Sequence, residues 1–197
     1  MSIKGNIFKA ISGHLMASLA FETGDAVGNP HNLPALQWVD FNTGQFQNPD
    51  TSLGMPMPAV LIRFAAAEYT NLGNNVQDGE SIIVFDIGYD NIAHSFEGSE
   101  DQDEALKYLQ FQEEVYKALQ GLQGTTFSPL HRIADEDVDD APGMLLITRM
   151  TFTCIITDTS AEATRNKTLV TDIDTEVQYV DNLPEPDRLS KGFIIPS

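Results

Sequence analysis

Hydrophobic residues recur at four-residue steps near the start of the chain and at two-residue steps in several later segments. The first pattern predicts an amphipathic helix over Ile3–Phe21. Its apolar stripe consists of Ile3, Ile7, Ile11, Leu15 and Leu19. After a break rich in Gly and Pro, Leu36–Phe41 favours a short strand, and Asn42-Thr43-Gly44 favours a tight turn. We therefore expect a small hairpin that returns through Gln45–Gln47.

Three further segments have the composition or alternation of strands. Ala59–Ala67 is nearly continuous in apolar residues, and Ser81–Tyr89 follows after a link rich in Gly and Asn. Met144–Thr157 alternates apolar residues with Arg and Thr, as a half-buried strand does. These patterns predict an antiparallel sheet made of the three segments.

A second helix is predicted between the strands. Ser99 and Gln102 have the spacing of a capping box, and acidic residues follow in the first turn, where they favour the helix dipole. The helix is expected over Glu100–Leu119, with Gly121 ending it. Its apolar face is expected to pack on the sheet and consists of Ala105, Tyr108, Leu109, Gln112, Val115, Tyr116 and Leu119. The polar segment Gln123–Gly143 is interpreted as a loop.

The last forty residues differ in character from the rest. Leu169–Val180 alternates apolar and acidic positions and predicts one more strand, which pairs either within its own subunit or with a neighbouring chain. The predicted fold class is therefore α+β. A small antiparallel sheet is packed by an N-terminal helix and one central helix in residues 1–157, and an extended C-terminal arm occupies residues 158–197.

Composition and charge narrow the range of functions. The 197 residues are 42% hydrophobic, which is enough for one globular core, and no apolar run is long enough to cross a bilayer. The net charge of −18 argues against binding to nucleic acid or to anionic lipid. A single cysteine excludes an intrachain disulfide framework.

The sequence contains no common catalytic signature. Phosphate-binding loops, dinucleotide fingerprints, nucleophile elbows and zinc-protease helices are all missing. Four scattered histidines, His14, His31, His94 and His131, have no ligand spacing, so they are interpreted as ordinary core or surface residues. Cys154 lies on the apolar side of a predicted strand and is interpreted as an inert core thiol. We therefore predict no catalytic, cofactor-binding or metal-binding residues, no cofactor and no enzymatic activity.

Clustered and dispersed carboxylates leave a few rival functions open. Asp135, Asp137 and Asp139 alternate like ligands of a hard cation, but an EF-hand loop starting at Asp135 would need Gly in place of Asp140 and Glu in place of Leu146. A solvated acidic loop is the simpler interpretation, and a cation site over 135–140 stays open. The rival functions are a different assembly adaptor, a ligand-binding module and a small metal-dependent enzyme that uses Asp86, Asp90 and Asp135.

The order of elements resembles that of tail terminator and neck proteins, the head-tail connector proteins of tailed bacteriophages. The resemblance spans about Ile3–Thr157 and is carried by three segments: "SIIVFDIGYD", "GSEDQDEALKYLQFQEEVYKALQGL" and "GMLLITRMTFTCIIT". It implies a structural virion protein that forms a ring, often a hexamer, at the tail end or at the head–tail junction. It also implies contacts with identical subunits and with adjacent tail or neck proteins. DNA would pass through the ring without specific binding, and assembly would take place in the bacterial host cytoplasm.

Overall fold

The computed structural model shows one mixed sheet with helices packed on one of its faces. It describes residues 2–22, 24–25, 27–48, 54–90, 96–138 and 145–161. The helices are α1 (Ile3–Ser18), α2 (Gln102–Ala105) and α3 (Lys107–Leu119). The strands are β1 (Trp38–Phe41), β2 (Ala59–Gly73), β3 (Val76–Asp90), β4 (His131–Asp137) and β5 (Leu145–Asp158). The α+β class predicted from the sequence is confirmed.

The strands lie in the order β1-β2-β3-β5-β4. Neighbours β2, β3, β5 and β4 are antiparallel, whereas β1 runs parallel to β2, with Trp38 opposite Ala59. The sheet is therefore mixed and not wholly antiparallel as predicted. Strands β1 and β4 form its two edges.

The main core lies between the sheet and the helices. Isoleucines and leucines of the α1 stripe pack on side chains that alternate along β2, β3 and β5, and α3 contributes Phe111, Val115 and Leu119. The rings of Phe85 and Phe152 meet edge to face, with centroids 5.4 Å apart. Each large apolar side chain buried in this way contributes about 1.5–3 kcal/mol to folding. This core accounts for the one-sided alternation of the predicted strands.

The hairpin predicted over Leu36–Gln47 is wrong. Gly44 takes a φ of 88°, as a turn needs, but Gln45–Gln47 then form a short 3-10 helix and not a returning strand. Phe46 is fully buried on the side of the sheet away from the helices, where its ring covers Gly88. No returning strand therefore pairs with β1 in the described residues 45–48, and β1 pairs with β2 in parallel.

The predicted helix Glu100–Leu119 is divided in two. The predicted capping box is wrong: the hydroxyl of Ser99 accepts a hydrogen bond from the backbone N–H of Asp101 at 3.2 Å, but the N-cap of α2 is Asp101, which makes no side-chain cap bond. α2 ends at Ala105 and α3 begins at Lys107. The break rotates the later residues relative to one continuous helix. Leu109, expected to pack on the sheet, is 46% exposed, whereas Phe111 is fully buried. The predicted apolar face is therefore wrong at Leu109.

Two strands extend beyond their predicted limits, and one lies where a loop was expected. β2 and β3 continue through the predicted link to a turn at Asn74 and Asn75, which have φ values of 53° and 61°. β4 lies within the predicted loop Gln123–Gly143 and pairs with β5. The strand predicted over Leu169–Val180 lies outside the described residues.

Candidate functional site

The structure does not bring the candidate histidines together. The Nε2 atom of His14 lies 3.0 Å from the carbonyl oxygen of Ala118, which ties α1 to α3. His131 lies on β4 beside Gln120, and His31 is exposed in the connection before β1. His94 lies outside the described residues. His14 and His131 therefore have structural contacts, and the histidines among the described residues share no site.

Cys154 occupies the position expected of an inert thiol. It points from β5 into the core and is 3% exposed, and its burial raises the pKa of the thiol to about 11. A catalytic cysteine needs the opposite environment, which lowers its pKa and exposes its sulfur. The described surroundings of Cys154 thus provide no activation for nucleophilic chemistry.

The carboxylates of the rival metal site face different sides of the sheet. Asp86 lies on the side away from the helices, where Arg149 and Asn42 bind it. Asp135 lies beside α3, and its carboxylate is 3.4 Å from a guanidinium nitrogen of Arg132. Among the described residues, no group of three or more His, Cys, Asp or Glu side chains could hold a metal ion. Asp139 and Asp140 of the acidic run lie outside those residues.

The strongest polar feature is an ion pair inside the sheet. Two nitrogens of Arg149 donate to the fully buried Asp86 at 2.7 and 3.0 Å, and Asn42 donates to the same carboxylate at 2.6 Å. Hydrogen bonding to Asp86 raises the pKa of Arg149. The exposed Glu136 lies 3.4 Å from the same guanidinium. Both carboxylate oxygens of Asp86 accept hydrogen bonds from these donors, so the network joins β3, β5 and the turn after β1. This arrangement favours a structural role for Asp86 over a catalytic one.

The most conspicuous surfaces are the two edges of the sheet. We call the surface around β1 and the adjoining side of α1 the β1 edge. It exposes Met16, Trp38 and Phe41 by 41–43% each, around a shallow cavity of about 310 Å³ between helix and strand. The ring of Phe41 stacks on Phe8, with centroids 4.0 Å apart. The charged residues of α1 are Lys4 and Lys9, and β1 adds the half-buried Asp40, so this edge is apolar with a small excess of positive charge.

We call the surface around β4 and the adjoining side of α3 the β4 edge. It exposes Leu109 and Ile133 by 46% and 57%, beside a cleft of about 320 Å³ between α3 and β4. Its cations already have acidic partners: Lys117 pairs with two glutamates of α3, and Arg132 pairs with Asp135 and lies 3.9 Å above the ring of Tyr116. The carboxylates outnumber the cations here and are Glu113, Glu114, Asp135, Glu136 and Asp137. This edge is therefore apolar and acidic.

A third surface lies on the face of the sheet that the helices do not cover. Near the β2–β3 turn, a groove of about 700 Å³ lies over β2, β3 and β5. Ser128, Pro129 and His131 form its wall. We call it the tip groove. Its side chains include Glu68, Thr70, Asp78, Glu80, Thr153 and Ile155.

Neither edge could be identified from sequence pattern alone. Trp38 lay within a predicted strand, but nothing showed that this strand would be an edge. Ile133 lay within a predicted loop, although an isolated isoleucine in an acidic segment was a weak signal.

No helix in the described ranges is long and apolar enough to span a membrane. Comparison of the chain with models of protein families and with curated protein sequences finds no match.

Proposed function

We propose that this chain is a structural ring subunit of the phage tail terminator or neck kind. The observation that carries the proposal is the contrast between the two sheet edges. Both expose large apolar side chains, but the β1 edge has two lysines against the single carboxylate of Asp40, whereas carboxylates outnumber cations at the β4 edge. Residues 3–157 resemble that family, and we therefore infer that such a ring would act in the virion.

Unlike edges favour a head-to-tail contact between subunits. Like-charged edges repel when the same surface meets itself, whereas the β1 edge of one subunit attracts the β4 edge of the next. An open assembly of any length then still presents one free edge of each kind, one at each end. Subunits therefore continue to add until the rotation between them closes a ring. This geometry supports a cyclic assembly over a symmetric dimer.

The exposed side chains are large enough to drive such a contact. Covering the exposed 43% of Trp38 removes roughly 100 Å² from water, worth about 2.5 kcal/mol at about 25 cal/mol/Å². Met16 and Phe41 add similar areas on the same edge, and Leu109 and Ile133 lie on the other. Part of this gain is offset by the entropy of association.

The overall charge fits a ring through which DNA passes. At −18, each subunit repels the phosphate backbone, so DNA can slide without adhering. The same charge opposes assembly at low ionic strength. Assembly is therefore best measured near physiological salt, where charges are screened beyond about 8 Å.

The experiment blocks one edge at a time and then mixes the blocked chains. Trp38→Glu places a charge in the β1 edge, and Ile133→Glu does the same in the β4 edge. Val27→Glu is the matched control, because Val27 is 93% exposed and lies outside the helices and strands that define the two edges. Native mass spectrometry and sedimentation velocity report the oligomers formed by each variant and by an equimolar mixture of the two edge variants.

A head-to-tail ring predicts a distinctive result. Each edge variant alone fails to form closed oligomers, while the mixture forms heterodimers, because one intact edge remains on each partner. The control assembles like the unmodified chain. An unmodified chain that stays monomeric, or an edge variant that assembles normally, would overturn the proposed contact. The virion role is tested by cryo-electron microscopy of the particle, where a position outside the tail-end and head–tail rings would refute it.

A further inference from the structure

The tip groove carries negative charge that the described part of the chain does not neutralise. Glu68, Asp78 and Glu80 lie on one face of neighbouring strands, and the register sets Glu68 directly opposite Glu80. No ion pair joins any of the three to a described Lys or Arg. One carboxylate oxygen of Asp78, Oδ1, is buried and has no hydrogen-bond partner among the described residues. Like charges directly opposite each other destabilise a strand pair, so a cation placed here would relieve a standing repulsion.

The groove also has an apolar part. Ile155, on the strand next to the acidic pair, is 51% exposed, and Pro129 lies in the wall. A complementary occupant would therefore combine positive charge with apolar side chains. At about 700 Å³ the groove has the size of a site for a few side chains.

A segment with this chemistry follows the strand that forms the groove, whereas the similar residues 4–11 are already part of α1. β5 ends at Asp158, which pairs with Gln77 at the tip of the hairpin, so the chain leaves the sheet next to the groove. Residues 188–195 read RLSKGFII, with two cations, no carboxylate and three consecutive large apolar side chains. The 26 residues between Ala161 and Arg188 can span up to roughly 90 Å when extended, far more than the distance needed.

We propose that residues 188–195 dock in the tip groove, with Arg188 and Lys191 against Glu68, Asp78 and Glu80 and the apolar residues against Ile155. This contact places the chain's own basic segment over the carboxylates of the tip groove and neutralises part of their charge. It does not depend on ring assembly, since the groove lies on the face of the sheet and shares only His131 with the β4 edge.

Limited proteolysis by trypsin tests the contact in the full chain. Trypsin cuts after Lys and Arg, so both cations of the segment are cleavage sites, and intact-mass spectrometry separates cuts there from cuts elsewhere. The groove variant is Glu68→Lys with Glu80→Lys, and its control is Glu97→Lys with Glu100→Lys, at exposed positions away from the groove. Phe193→Ser is the second variant, since it removes an apolar contact and keeps both cleavage sites.

Docking predicts cleavage after Arg188 and Lys191 at least tenfold faster in the groove variant and in Phe193→Ser than in the unmodified chain. The control keeps the unmodified rate, and circular dichroism and thermal unfolding verify that every variant is folded. Rates independent of protein concentration place the segment on its own subunit, whereas protection lost on dilution places it on a neighbour; both results support docking. Equal rates in the unmodified chain, the groove variant and Phe193→Ser would overturn the proposal, whether or not the chain forms rings.

Discussion

Replacing Arg149 by methionine would measure what it costs to leave a carboxylate unpaired inside the sheet. Asp86 is fully buried and receives two hydrogen bonds from Arg149 and one from Asn42. Methionine keeps most of the volume of the arginine stem but supplies neither donor. The carboxylate would then keep its amide partner alone.

The expected loss follows from the burial of the two partners. Breaking a buried ion pair by removing one partner costs about 3–5 kcal/mol, because the remaining charge stays desolvated. The Arg149 side chain is 26% exposed, so water can reach part of the vacated space, and we expect about 3 kcal/mol. For a chain of this length, that loss corresponds to a decrease in Tm of roughly 6–12 °C.

The assay is chemical denaturation of three variants under identical conditions. Arg149→Met is compared with Glu136→Gln, which removes the exposed partner of the same guanidinium and should cost less than about 1 kcal/mol. The double variant Asp86→Leu with Arg149→Met removes both charges and should recover at least about 2 kcal/mol of the loss. If Arg149→Met cost no more than Glu136→Gln, the buried pair would not have the role inferred here.

Three further predictions concern the core. Phe111→Asp should destabilise the fold by several kcal/mol, because it buries an unpaired charge, whereas Leu109→Asp should change thermal unfolding by less than about 1 kcal/mol, because Leu109 is largely exposed. Gly88→Ala should cost about 1–3 kcal/mol, since the new Cβ would meet the ring of Phe46 at 2.5 Å, and Phe46→Leu should restore part of this loss. Cys154, whose pKa is raised from 9.0 to about 11, should react with a chromogenic disulfide reagent at pH 8 about 100-fold more slowly in the folded chain than in denaturant.

Each of these predictions has a clear negative outcome. If Phe111→Asp and Leu109→Asp destabilised the fold equally, Leu109 would pack on the sheet, as one continuous helix predicts. An unchanged unfolding midpoint for Gly88→Ala would mean that Phe46 does not pack on β3. Rapid labelling of Cys154 in the folded chain would place its thiol at the surface.

The sequence pattern predicted the helices and strands that bury one face. It did not predict the strand that buries neither face. α1 and β5 have regular apolar spacing, and both were located within a few residues. β4 is exposed along its whole length and rich in acids, so it has no alternation to detect. Its strand geometry comes from pairing with β5, which is a tertiary contact.

Errors of detail arose where a long-range contact overrode a local signal. Asn42-Thr43-Gly44 has the residues of a hairpin turn, yet a 3-10 helix with the buried Phe46 follows it instead of a returning strand. The central helix begins at Gln102, two residues after the predicted start and without the predicted side-chain cap, and the break at Leu106 changed which residues face the core. The candidate surfaces could not be predicted, because they depend on which strands are the edges and on which face stays uncovered.

The unequal lengths of strands and helices give the molecule a gradient of local stability. β2 has 15 residues, or about 50 Å of strand, whereas α1 has 16 residues, or about 24 Å of helix. The first four residues of β2 are buried and the rest are mostly exposed. One ladder of hydrogen bonds therefore runs from a root held by the core to an end with few packing contacts, such as the ring of Tyr69 on Gly79. Amides at the root should exchange with solvent only on global unfolding, and those at the tip through local fraying.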